Sequence, residues 1–508
     1  MRKISLWLSA LVLCLCSVTT FTSCSKDDDP TSPVAPDPSK ELTVEELAQQ
    51  LRAIPGISDV SIHERKSDKR KVIFFNFAQQ IDHKNPATGT FKQRCRITFR
   101  NENAVNVLQT EGYKTAETAD ELDIYSLTEE LGGNQIDVEY RYFGQSLPEP
   151  FENVNFTYLY SEQASEDLHA VVNMLKDTKL LKGKWVSTGH SKGGITTALY
   201  AYNNSLKGYN DMDVYVPFCA PFIIGTHNYE VGDYLVYSCG KETGTNAKVT
   251  ALMQAIIKEP LMSQLAPYVY ANHEKYIAEM RQNGHPDSVI SKILWESYLS
   301  LFWANMCAKY AYVTASILNL YIPDPEKHEA AQIDWFVRAN DDVILKEYAS
   351  LEQQETRGST DQEIIGYRKE NPNYPYSVQA MRELGYWDMK FQMLEGCDWI
   401  TPKEMEKFSY EDHISNNTVS RYADEYDPTL MNSFLNDFLP NTTMKMVFIY
   451  GADDYWTGGA IPDPTNPNVT KIIVPGGIHS EAINNPVYYP ETYRDMILNK
   501  VKTALNAF

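Results

Sequence analysis

The chain of 508 residues is short of basic charge: 46 Lys and Arg stand against 67 Asp and Glu, a formal net charge of −21. A nucleic-acid binder neutralises phosphates with a basic face, so this balance excludes nucleic acid as a partner. Cysteine is also scarce, with 8 in all. Cys14, Cys16 and Cys24 lie near the N-terminus, which leaves Cys95, Cys219, Cys239, Cys307 and Cys397. An odd, widely scattered set is no disulfide framework, although one or two bridges remain open to it. Beyond the leader there is no CxxC or HExxH spacing, so neither a metal nor any other cofactor is expected. No internal repeat is present, and no apolar run after the leader reaches membrane length. The nearest, Leu299 to Leu320, is interrupted by Asn305 and Lys309 and reads as a buried amphipathic helix. Aromatic side chains, by contrast, are plentiful: 33 Tyr, 19 Phe and 8 Trp. They suffice for a sizeable core and exclude disorder for most of the chain.

The first forty residues read as a targeting segment. Met1-Arg2-Lys3 precedes the apolar run Ile4 to Val18, and Phe21-Thr22-Ser23-Cys24 resembles a bacterial lipoprotein cleavage site. Residues 1–23 are thus expected to be a signal peptide and Cys24 the lipidated first residue. Residues 24–40, with Asp27-Asp28-Asp29 followed by Pro30, Pro33, Pro36 and Pro38, form an extended tether. The expectation is an exported bacterial lipoprotein of the outer membrane, touching the membrane only through its lipid. Asp27-Asp28-Asp29 reads either as a signal for display at the cell surface or as a solvated leash, so the choice of periplasmic or external face stays open.

Between residues 71 and 223, β-rich runs alternate with helical ones, the pattern of a mostly parallel sheet covered by helices. Lys71 to Phe77 and Arg94 to Phe99 read as an antiparallel pair. Val105 to Leu108, Gln135 to Tyr140, Trp185 to Thr188 and Val214 to Phe218 read as inner strands, and Glu162 to Thr178 as a crossover helix. From 225 to 435 the runs turn helical, as in Ala247 to Ile257, Val289 to Leu320 and Ile333 to Tyr348. The strands Met444 to Tyr450 and Lys471 to Val474 and the helix Tyr493 to Ala507 then complete the pattern. The predicted organisation is an α/β-hydrolase core in two parts, 41–224 and 436–508, interrupted by a large helical cap at 225–435.

Gly189-His190-Ser191-Lys192-Gly193 is a G-x-S-x-G sequence between a strand and a helix. Such a turn strains the serine and presents it at a helix N-terminus, where the Lys192 N–H faces a developing oxyanion. A serine hydroxyl needs a base, and the base an orienting acid. In this fold both follow the serine, acid first. Asp453 and Asp454 lie in the turn after Met444 to Tyr450; spacing from Gly451 favours Asp454 as the acid, with Asp453 capping the turn. His479 alone of ten histidines falls between the last strand and the last helix. His190, on the elbow, is expected to point away from the nucleophile, and His169 to make a structural hydrogen bond.

Residues 74–100, FFNFAQQIDHKNPATGTFKQRCRITFR, resemble the opening of the secreted prolyl tri/tetrapeptidyl aminopeptidases, serine peptidases distantly related to Pro-Xaa carboxypeptidase and dipeptidyl peptidase II. Further matches are Thr110-Glu111-Gly112-Tyr113, 139–148, 163–169, the elbow, Ala220-Pro221-Phe222 and 380–386. The acid turn, Tyr450-Gly451-Ala452-Asp453-Asp454-Tyr455-Trp456, matches the family's Y-G-E-x-D-P-W at Asp454 and departs around it; His190 replaces a small residue. The resemblance implies release of short peptides from free N-termini after proline, with a peptide as the partner, and Gly112–Tyr113 as the second oxyanion donor. Glu296, beside Trp295, and Asp388 are candidates to bind the substrate ammonium, and Trp456 to pack on a proline ring. Glu139 and Arg141 are expected either to pair beneath the elbow or to contact substrate. A carboxylesterase using the same triad and a non-catalytic surface binding lipoprotein are the alternatives.

Overall fold

The computed structural model describes residues 42–149, 155–225, 228–241, 244–256, 277–278, 281–282, 322–327, 374–386, 422 and 425–506. The leader, Cys24 and the tether lie outside these residues, as do Cys307, Cys397 and the runs 289–320 and 333–348.

The first helix, α1 (Val44–Arg52), starts at a capping box in which Thr43 and Glu46 satisfy each other's backbone donors. Nine strands follow in one sheet: β1 (Ile57–Glu64), β2 (Lys71–Gln80), β3 (Thr90–Thr98), β4 (Asn106–Thr110), β5 (Asn134–Val138), β6 (Trp185–His190), β7 (Val214–Phe218), β8 (Met446–Gly451) and β9 (Val469–Val474). Their order is β1-β2-β3-β5-β4-β6-β7-β8-β9. β1, β2 and β3 pair antiparallel, β3 joins β5 antiparallel, and the pairs from β5 through β9 are parallel. This is the mostly parallel sheet of an α/β-hydrolase core, with an edge strand, β1, that the sequence pattern did not reveal. In Ile57–Glu64 no residue is fully buried, so there is no apolar run to read.

The parallel strands β4 to β8 are almost wholly buried because both faces are covered, and β7 and β8 are accordingly apolar runs. In β8, Met446, Phe448 and Tyr450 join a core beneath α3 (Ser161–Asp177) and α4 (Lys192–Lys207), whereas Val447 and Ile449 face the opposite way. That second face is closed by α2 (Ser126–Leu131) and by the C-terminal helix Glu491–Leu505, through Leu127, Ile497, Val501 and Leu505. The described residues of 225–435 include the helices α5 (Glu230–Tyr237), α6 (Thr245–Ile256) and Tyr374–Gln379, which runs on as a π-helical turn, Ala380–Leu384, along with turns such as 322–327.

The expected Glu139–Arg141 pair does not form. The strand ends at Val138 and the chain turns sharply, with Tyr142 at φ 69°, so the two side chains part. Arg141 is fully buried and grips Asp167 of α3 through Nε and Nη2 at 2.8 and 2.6 Å, while its other donors reach the carbonyls of Gln80, Ile81 and Tyr158. Glu139 instead closes the turn, accepting from the backbone of Thr115, Gln145 and Ser146. Asp167 also meets His83 at 2.8 Å and Gln93 at 3.2 Å, and so ties α3 to β3 and to the loop after β2. Asp167→Ala would strand a buried guanidinium; we expect a loss of about 3–5 kcal/mol in unfolding free energy, read by denaturant titration.

Candidate active site

The parallel strands end level. Register pairs Gln109 with Thr188, His190 with Phe218, Phe218 with Ile449, and Gly451 with Val474. The turns that follow β4, β6, β7, β8 and β9 therefore share one rim, and β4 is the strand at which the sequence order reverses. The carboxyl ends of strands at such a switch point are where open α/β sheets hold their ligands.

Ser191 sits between β6 and α4 at φ 57°, ψ −120°, a conformation that costs a residue other than glycine about 1–3 kcal/mol. Neighbours on three sides hold it there. Its N–H donates to Phe218 O of β7 at 2.9 Å, and its carbonyl accepts from Ile195 N at 3.0 Å. The strand and helix approach so closely that a Cβ on Gly189 would lie 2.4 Å from Gly193 O and 2.5 Å from Thr110 Oγ1. Thr110, at the end of β4, fills the seam with its hydroxyl 2.8 Å from Gly193 O and 2.6 Å from Thr197 Oγ1.

His479 and Asp454 arrive on the turns after β9 and β8. His479 Nδ1 lies 2.7 Å from Asp454 Oδ2, both side chains are buried, and Asp454 Oδ1 accepts from Trp456 N at 3.0 Å. A carboxylate at Nδ1 fixes the imidazole with Nε2 as its proton acceptor. Asp453 faces the other way, its carboxylate accepting from Gly240 N at 3.2 Å, so Asp454 rather than Asp453 meets the histidine. The Trp456 ring centre lies 6.4 Å from that of His479.

His190 does not lie clear of this pair: its ring packs 4.4 Å from that of His479. Burial, reinforced by the adjacent His479, pushes the His190 imidazole well below its usual range. It therefore adds no positive charge beside the prospective base. His169 makes the expected structural bond, to Asp211 at 2.8 Å, and stacks on Tyr209.

Gly112 and Lys192 are in contact, since a Cβ on Gly112 would lie 2.7 Å from Lys192 Cβ and 2.9 Å from Gly193 N. The loop after β4 and the N-terminus of α4 thus close on one spot, as two oxyanion donors require. The Lys192 side chain, unanticipated from sequence, is buried in a cage of rings, with Nζ 3.5 Å from the centre of Tyr140, 5.6 Å from Phe143 and 5.8 Å from Tyr113. Burial pushes its ammonium down to about 7 against the opposing pull of Glu383 and Glu111. Glu383 accepts from Ser161 N and Oγ at 2.7 Å each, docking the 374–386 segment on α3. Because Tyr113 belongs to the cage, the lysine ties the loop after β4 to the helix that begins at the nucleophile. The cage rings are far from Lys192 in sequence, so no motif could announce them. Glu296, Trp295 and Asp388 lie outside the described residues.

The sequence profile of the PS-10 peptidase S37 family matches residues 40–463. The prolyl tri/tetrapeptidyl aminopeptidase of Streptomyces mobaraensis is 24% identical over 279 residues, 54% of this chain and 55% of that protein. A Caenorhabditis elegans protein whose name describes a serine protease is 30% identical over 161 residues, 29% of this chain and 30% of that protein. The chain thus spans about half the length of the first relative and under a third of the second. Among solved structures, a peroxisomal α/β-hydrolase of Saccharomyces cerevisiae aligns at TM-score 0.34 and 11% identity over 87% of this chain and 91% of its own. The cell-wall-degrading esterase LipA of Xanthomonas oryzae aligns at TM-score 0.34 and 12% identity over 92% of this chain and 96% of its own.

Two outcomes are expected for fluorophosphonate labelling of Ser191, followed by mass spectrometry. His479→Ala should lower the labelling rate by more than about a hundredfold by removing the prospective base, with Ser191→Ala as the unlabelled control. Lys192→Met keeps the length of the side chain but loosens the donor loop, and should cost about tenfold, less than the loss of a donor outright.

Proposed function

The chain belongs to the PS-10 peptidase S37 family, and from that membership we propose that it is a serine exopeptidase that releases tri- and tetrapeptides from free N-termini, cleaving after proline. The observation that carries the reading is the buried 2.7 Å contact between Asp454 and His479, on the same sheet rim as the strained Ser191. The printed activity of the Streptomyces relative supports the substrate class.

In this mechanism His479 accepts the proton of Ser191 through Nε2 as the alkoxide attacks the peptide carbonyl. Asp454 holds the imidazole and stabilises its charged form. The N–H of Lys192 and a donor from Gly112–Tyr113 take the oxyanion, their positions set by the cage around Lys192 Nζ. His479 then protonates the departing amine, and water enters by the same route to free the acyl-enzyme. Trp456, with its ring near His479, offers an apolar wall for a proline ring, and Glu296 is retained as the candidate partner of the substrate ammonium. We also propose that Cys24 anchors the exported protein to lipid.

Hydrolysis of Ala-Ala-Pro-anilide by the lipid-free protein tests the substrate. Activity should require the free amine and vanish in Ser191→Ala. Equal turnover of the N-acylated substrate would make the protein an endopeptidase, and no turnover of either form would return the weight to an esterase or a binding protein. The anchor is tested separately: Cys24→Ser should release the protein from the membrane fraction of expressing cells.

A further inference from the structure

The elbow and the His479 turn bring together three side chains that the proposed reaction does not use as a set. His190, Cys219 and His479 each offer a ligand atom, and these atoms lie within 4.8 Å of one another. Cys219, just past β7 at φ 47°, is buried and free of any disulfide, with Sγ 3.9 Å from Ile478 O and 3.7 Å from Ser480 O. His190 Nε2 is shut off from solvent and has no hydrogen-bond partner among the described residues. A buried imidazole nitrogen left in that state is destabilising, and a ligand is one way to satisfy it.

We propose that His190, Cys219 and His479 form an inhibitory site for a thiophilic divalent cation of the zinc class. Two imidazole nitrogens and one sulfur are a donor set that suits such an ion and leaves the fourth tetrahedral position for water. Bonds of about 2.0–2.3 Å bring neighbouring ligand atoms to roughly 3.3–3.8 Å apart, so closure needs side-chain adjustments of about an ångström. On binding, Cys219 releases its thiol proton to solvent as the sulfur–metal bond forms. The imidazoles bind as neutral donors, and no electron changes hands. The buried carboxylate of Asp454, bonded to His479, supplies a second negative charge, so the filled site is electrically balanced. Magnesium and calcium, which prefer oxygen ligands, do not fit it. The ion would withdraw His479 from Ser191. Only this inhibitory consequence rests on His479 being the base; the binding does not.

The protein's other cysteines make the choice of variants decisive. With Cd²⁺ as probe, the wild type and Ser191→Ala should both show an ultraviolet thiolate-to-cadmium charge-transfer band that Cys219→Ser lacks. Zn²⁺ should suppress fluorophosphonate labelling of Ser191, EDTA should restore it, and Mg²⁺ should have no effect. In Cys219→Ser and His190→Asn the Zn²⁺ concentration for half-suppression should rise by at least about tenfold, as expected for the loss of one ligand. A cadmium band of undiminished intensity in Cys219→Ser, or half-suppression at an unchanged Zn²⁺ concentration in that variant, would overturn the proposal. His190→Asn carries the same test should the cysteine variant not fold. If peptides are not hydrolysed, the cadmium band still decides the site, so its failure is distinguishable from that of the peptidase reading.

Discussion

Ser191 cannot hold its backbone at φ 57° unaided, and much of the central sheet is arranged to keep it there. The strain is local, but its support is not. β7 supplies the carbonyl that accepts from the Ser191 N–H, β4 supplies the threonine that fills the seam, and glycine lets β6 and α4 close to contact. Each support is a strand end, so the level register of the parallel strands is what brings them to one residue. A cost of about 1–3 kcal/mol is tolerable because the sheet around it is buried on both faces.

Around that turn the protein buries two basic side chains, in two different ways. Arg141 is neutralised conventionally, by a two-point grip on Asp167 and a ring of carbonyls. Lys192, whose ammonium burial pushes down to about 7, lies against the faces of aromatic rings, whose electron-rich surfaces attract its charged form without a localised negative charge beside Ser191. A carboxylate in contact with Lys192 would stand close to where an oxyanion develops and would oppose it. Rings fix the side chain without that penalty.

Much of this was legible in the sequence, for identifiable reasons. β7 and β8, covered on both faces, are continuous apolar runs and announce themselves, and the elbow is a contiguous motif whose strand and helix lie on either side. β1 escaped because an edge strand without a fully buried residue has no such run. Glu139 and Arg141 were misread because closeness in sequence stood in for contact, whereas the turn at Tyr142 separates them. The ring cage around Lys192 and the set of His190, Cys219 and His479 are assembled by strand order alone, and no spacing encodes them.

Strand order has a further consequence, in time rather than in space. Ser191 leaves β6, while Asp454 and His479 leave β8 and β9, which add to the sheet beyond β7. During synthesis Ser191 and its supports on β4 and β7 are made long before Asp454 and His479, whose strands come last in the chain. Until those last two strands are added, neither Asp454 nor His479 has reached the rim that carries Ser191. The topology thus makes Asp454 and His479 the last parts of the proposed triad to enter the chain, so the site is complete only when the sheet is.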